Sequence, residues 1–106
     1  MSQTVIPRFK LIMRYDINPG TQEAYFQFVT GEFVPALQSL GVYMLQVYHT
    51  AYGDQPLRQL EFVSEDIETI RKAMKSELWN KVMKRFQGYT SNYSQKIVKF
   101  RDGFQL

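Results

Sequence analysis

The chain's single histidine stands in the stretch VYHTAYGDQPLRQLEF, residues 47–62, between two tyrosines and just ahead of a Gly-Asp-Gln-Pro turn signal. Imidazole titrates near neutral pH, so His49 is the obvious general base, and the phenol of Tyr48 is a second group able to handle a proton. Arg14 offers a guanidinium that would hold a carboxylate or enolate oxygen in bidentate fashion; the alternative is an internal ion pair with Glu61. Trp79 is suited to wall a pocket, and Tyr93, with Tyr89 and Asn92, to set hydroxyl and amide groups at its mouth. Each also has a plain structural explanation: His49 as a strand residue, Trp79 as a helix residue at a subunit contact, the Tyr89–Tyr93 cluster as turn chemistry. The expected catalytic set is Arg14, Tyr48 and His49, and the expected ligand-binding set is Gln46, Glu61, Trp79 and Tyr93. No close nucleophile–base pair of the kind a hydrolase needs is evident.

Much chemistry is excluded by composition. There is no cysteine, which removes disulfides, thiolate nucleophiles, iron–sulfur clusters and cysteine-bound zinc. One histidine does not make a transition-metal site, so neither metal nor cofactor is expected. At 106 residues the chain is expected to form a single domain over 1–106, and a sizeable pocket would draw on a second copy. No apolar run is long enough to span a bilayer and the amino terminus does not read as a secretion signal, so a cytoplasmic location is the default expectation. The charge is uneven: residues 1–66 carry four basic and seven acidic groups, while 67–101 carry nine basic and two acidic. On a helix such a stripe is most often a solvated face.

The elements that must position these residues follow from periodicity. Residues 8–16 alternate, with Phe9, Leu11, Met13 and Tyr15 on one face and Lys10, Ile12, Arg14 and Asp16 on the other, which predicts a strand. Asn18-Pro19-Gly20 opens a helix whose apolar residues run Tyr25, Phe28, Val29, Phe33, Ala36, Leu37, Leu40, ended by Gly41; Pro35 inside it predicts a kink or two shorter segments. Residues 42–51 and 57–63 read as a hairpin. On its first strand Leu45 and Val47 are expected to face the helices with Tyr43, and His49 to lie on that side or at the fraying strand end, leaving Met44, Gln46 and Tyr48 opposite. Ser64 is the expected cap of a second helix, with Ile67, Ile70, Met74, Leu78, Val82 and Phe86 down one face and Gly88 as its stop. A polar loop over 89–94 and a strand over 95–101 complete the order β-α-β-β-α-β.

That order is the ferredoxin-like α+β arrangement, two helices on one face of a four-stranded antiparallel sheet. The surplus aromatics Tyr43, Tyr48, Tyr52, Trp79, Tyr89 and Tyr93 call for something covering the other face. From Phe9 to Phe100 the chain resembles the dimeric α/β barrel superfamily, in element order and in the segments YDINPGTQEAYFQFVTGEFVPAL and SEDIETIRKAMKSELWNKVMKRF. The resemblance implies a homodimer whose sheets close into a barrel, holding a small-molecule ligand. It also implies an activity like that of cofactor-independent monooxygenases or isomerases on small aromatic or enolisable molecules, or a non-catalytic binding role. Haem-degrading relatives use a second-helix histidine, which this chain lacks. RNA-recognition motifs share the element order but stack bases on first- and third-strand aromatics; LRQLEFV lacks their basic-Gly-aromatic opening and KLIMR has no exposed aromatic, so nucleic acid is not an expected partner. DINPGT lacks the glycine-rich anion cradle of an acylphosphatase.

Overall fold

The alternating pattern of Phe9–Ile17 is realised as strand β1, and its two faces are the ones expected. Leu11, Met13 and Tyr15 enter the core, and Lys10, Ile12 and Arg14 point the other way. The computed structural model describes residues 6–49 and 58–101. Four strands, β1, β2 (Tyr43–His49), β3 (Arg58–Ser64) and β4 (Thr90–Lys99), form one antiparallel sheet in the order β2-β3-β1-β4. The helices pack on one face of it, as the ferredoxin-like reading requires. The hairpin's turn signal lies outside the described residues.

The first helical stretch is three segments, α1 (Gln22–Phe28), a π turn (Val29–Phe33) and α2 (Val34–Ser39). Tyr25, Val29, Phe33 and Leu37, all buried, recur every four residues. In a helix of 3.6 residues per turn, each such step drifts by about 40°. The wider π turn, with Val34 N–H bonded to the Val29 carbonyl five residues back, takes up that drift. It also ends just ahead of Pro35, which has no N–H to give an α-helical partner. Gly41 then turns the chain at φ +84, where a Cβ would meet the Thr69 Cγ2 at 2.7 Å.

Three expected element boundaries are corrected. The second helix is two, α3 (Ile67–Lys75) and α4 (Glu77–Gly88), because Ser76 takes an extended conformation and caps α4 by accepting from Trp79 N–H at 3.1 Å. The cap of α3 is Asp66, not Ser64: its carboxylate accepts from Thr69 N–H at 2.7 Å, while Ser64 closes β3. The span read as a polar loop is strand, since β4 starts at Thr90. A bulge opposite Tyr15 absorbs the misfit, with Asn92 at φ 54 and its amide donating to Asp16 at 2.8 Å.

A second bulge, at Leu45, shifts the phase of β2. Met44 lies opposite Phe62 and Val47 opposite Leu60, so both face the helices, whereas Tyr43 lies opposite Val63 on the open face. Tyr43 and Met44 are thus reversed from simple alternation, and Leu45 is exposed. The core under the helices is aromatic: the Phe33 and Phe86 rings stack at 4.6 Å, and Tyr15 meets Phe86 edge-on at 4.8 Å.

Candidate functional site

A recess of about 250 Å³ opens between the α1–π turn–α2 stretch and strands β2 and β3. The π turn sets its width, since Val29, Thr30 and Val34 line one wall where an unbroken α-helix would present a different face. Met44, Val47 and Leu60 line the sheet side, Met44 being brought there by the β2 bulge. Such an apolar slot with a few polar groups is the usual form of a small-molecule site, and its volume is just below the usual range of about 300–1,000 Å³.

The polar groups are Arg58, Tyr25 and Thr30, whose hydroxyl is spent on the Phe26 carbonyl at 2.7 Å. Arg58 is the only charged residue of the nine that line the recess, and its guanidinium lies 4.8 Å from the Phe26 ring centre and 5.6 Å from that of Tyr25. Its Nε is buried and has no hydrogen-bond partner among the described residues. Behind Tyr25 stands Tyr15, fully buried on β1, and the two hydroxyls are hydrogen-bonded to each other. Burial pushes the Tyr15 phenol well above the usual tyrosine range, helped by its neighbour Tyr25 and opposed by the charge of Arg58. Burial also raises Tyr25, against the pull of its bonds to Tyr15 and Arg58. Both phenols are therefore neutral donors beside a fixed cation.

The residues singled out from sequence are spread over three places. Arg14, Tyr48, Gln46 and Glu61 lie on the open sheet face, in two neighbouring rows: Gln46, Glu61, Ile12 and Lys96, then Tyr48, Gln59, Arg14 and Ser94. There Glu61 is paired with Lys10 at 2.8 Å, both side chains fully buried, and accepts from Gln59 at 2.7 Å. The ion pair expected with Arg14 is thus made by Lys10. Trp79 and Tyr93 meet in another recess, at the α4–β4 edge, of about 440 Å³, whose other lining groups are Asn80, Met83, Lys84, Gln87 and Gln95. Burial raises the Tyr93 phenol as well. His49 pairs with Arg58 in the strand register, and its side chain lies outside the described residues.

Arg58, Tyr25 and Tyr15 were not singled out from sequence. A signal for Arg58 existed: alternation puts Gln59, Glu61 and Val63 on the open face, which leaves a charged residue in the helix-facing row of Leu60 and Phe62. The two tyrosines carried no such mark, for both read as ordinary members of apolar faces. Among the described residues no group of three acidic or histidine side chains is placed to hold a metal, and no helix is long and apolar enough to cross a membrane.

The sequence matches no protein-family model and no curated protein. Its fold, however, is shared with solved structures. A NIPSNAP-family protein of unknown function from Agrobacterium tumefaciens superposes with a TM-score of 0.66 at 16% identity, over 88% of this chain and 87% of that one. A protein of unknown function from Bacteroides thetaiotaomicron, described as a possible oxidoreductase, gives 0.67 at 9% identity, over 89% and 98%. A Bacillus halodurans protein of the ethyl tert-butyl ether D family gives 0.67 at 16%, over 89% and 99%. At such identities the likeness is one of fold, and the chain has the α+β ferredoxin-like architecture of these structures.

Proposed function

We propose that this protein binds a small, flat aromatic or enolisable molecule in the recess between α1, the π turn and strands β2–β3. The observation that carries this reading is the Arg58 guanidinium, whose buried Nε has no hydrogen-bond partner among the described residues, set at a mostly apolar slot. Within the dimeric α/β barrel resemblance, the matching activities are those of an isomerase or a cofactor-independent monooxygenase. Such chemistry needs a base, and the register neighbour of Arg58 is His49. The alternative is a non-catalytic binder that uses the same slot.

Thermal unfolding with a panel of one- and two-ring aromatics tests the proposal. Ligands that occupy the slot raise the midpoint of the free protein. Val47→Trp, at a rim position 43% exposed on an edge strand, fills the slot while leaving stability within about 0.5 kcal/mol. Stabilisation should vanish in this variant. Equal stabilisation of both proteins would place the binding elsewhere, the Trp79–Tyr93 recess being the next candidate.

A second reading concerns the open face. The Arg14 Nε is also buried without a hydrogen-bond partner among the described residues, and on the same face Tyr48, in the row of Arg14, and Tyr43 and Val98, in the row of Lys10, are half-buried. These features favour a homodimer that closes over the rim of this face.

A further inference from the structure

We propose that the recess binds its ligand as an oxyanion: a molecule with one acidic hydroxyl, a phenol or the enol of a 1,3-dicarbonyl, held ionised by Arg58 and by the hydroxyl of Tyr25, which Tyr15 orients. The inference rests on the recess being the ligand site and specifies what it selects.

The geometry constrains the proton inventory. Two phenols in mutual contact have two hydroxyl hydrogens, and their shared bond uses one. With Tyr15 as donor to Tyr25, the Tyr25 hydrogen is left to donate, and Tyr25 is the member of the pair that lines the recess. Tyr15 is fully buried with its ring edge-on against Phe86, and its hydroxyl is hydrogen-bonded to that of Tyr25. It is thus a positioning residue, and Tyr25 is the group that reaches the ligand.

Charge then decides the ligand's state. Among the described residues no carboxylate lines the recess to neutralise Arg58, and the ring faces of Phe26 and Tyr25 beside it supply only a quadrupole. A ligand hydroxyl that gives its proton to solvent becomes the missing counter-ion. Neither phenol competes for that role, since burial keeps both protonated. An opposite charge within about 4–6 Å lowers the pKa of an acidic group by about 1–3 units. Stabilisation of an oxyanion also fits the proposed chemistry, because an enolate or phenolate is the electron-rich form that an isomerase reprotonates at carbon or an oxygenase exposes to dioxygen.

The test uses para-nitrophenol, whose anion absorbs in the visible. Binding to the whole protein is followed by calorimetry and the ionisation of the bound probe by absorbance against pH. The expected result is a bound midpoint about 1–3 units below that of the free probe. Arg58→Gln should abolish the shift, and Tyr25→Phe should reduce it. Tyr15→Phe should leave probe affinity for the neutral form unchanged but broaden and shift the anion's band, a signature that a purely structural role would not give. A probe that binds with an unshifted midpoint overturns the oxyanion inference and leaves the recess as a binding site. A probe that shows no heat of binding at any pH, together with no stabilisation by the aromatic panel, overturns both. The wild-type titration decides the main point without any variant having to fold.

Discussion

Three phenols, two buried and Tyr93 half-buried, dominate the chemistry at the scale of single residues. Tyr15, Tyr25 and Tyr93 are each raised above the ordinary tyrosine value, with burial as the largest cause in every case. In the unfolded chain they titrate near about pH 10. Above that pH the unfolded state binds fewer protons than the native one, so stability falls as pH rises. The contribution of these groups is fully present below about pH 10 and is lost as pH climbs toward their folded values. An alkaline titration followed by phenolate absorbance should therefore be stepped, with these three ionising only as the chain unfolds. Tyr15→Phe should shrink the late step by one phenolate. A smooth titration that runs to completion with near-ultraviolet dichroism intact would show that water reaches these hydroxyls. Sequence periodicity correctly put Tyr15 and Tyr25 on apolar faces of their elements. It carried no information on their meeting, because that depends on where α1 crosses β1.

At the scale of elements, the π turn connects local sequence to the site. Its origin was half legible: Pro35 marked an interruption, and the four-residue recurrence of Tyr25, Val29, Phe33 and Leu37 contains the reason it is a widening rather than a break. Two changes at Gly31 separate composition from geometry. Gly31→Ala meets nothing within 4 Å at an exposed helical position, so it should stabilise by about 0.4–1 kcal/mol in urea denaturation. Deleting Gly31 would force the stretch toward a plain α-helix, with Pro35 in its interior and Phe33 and Leu37 rotated off the core. The expected cost is about 3 kcal/mol from the proline alone, with loss of ligand stabilisation. If the deletion were as stable as the parent, the widened turn would have no structural role. The break at Ser76 and the bulges at Leu45 and Asn92 were not legible. Each is a one-residue misfit settled by packing against a neighbouring element, and alternation or helical spacing averages over such misfits.

For the whole molecule, the question is what closes the open sheet face. On β1 and β3 sequence alternation identified that face correctly, but not its ion pair. Glu61 sits opposite Ile12, with Lys10 one row above and Arg14 one row below, and only the three-dimensional surroundings choose between them. Lys10 wins because its ammonium also donates to the Arg101 carbonyl at 3.1 Å and lies 5.3 Å from the Phe100 ring centre; below, Gln59 takes the second carboxylate oxygen. Lys10, Ile12 and Glu61 are fully buried within one copy, so a proposed second copy has the rim, with Tyr43, Tyr48 and Arg14, left to cover. Lys10→Met strands a buried carboxylate and should cost about 3–5 kcal/mol, most of it recovered when Glu61→Leu is added. The cost belongs to the single chain and should not depend on protein concentration. The proposed homodimer makes a separate demand: the unfolding midpoint of the parent should rise with protein concentration, and Arg14→Ala should flatten that dependence. A parent midpoint constant over a roughly hundredfold concentration range would leave the ion pair's energetics intact and remove the second copy from the fold.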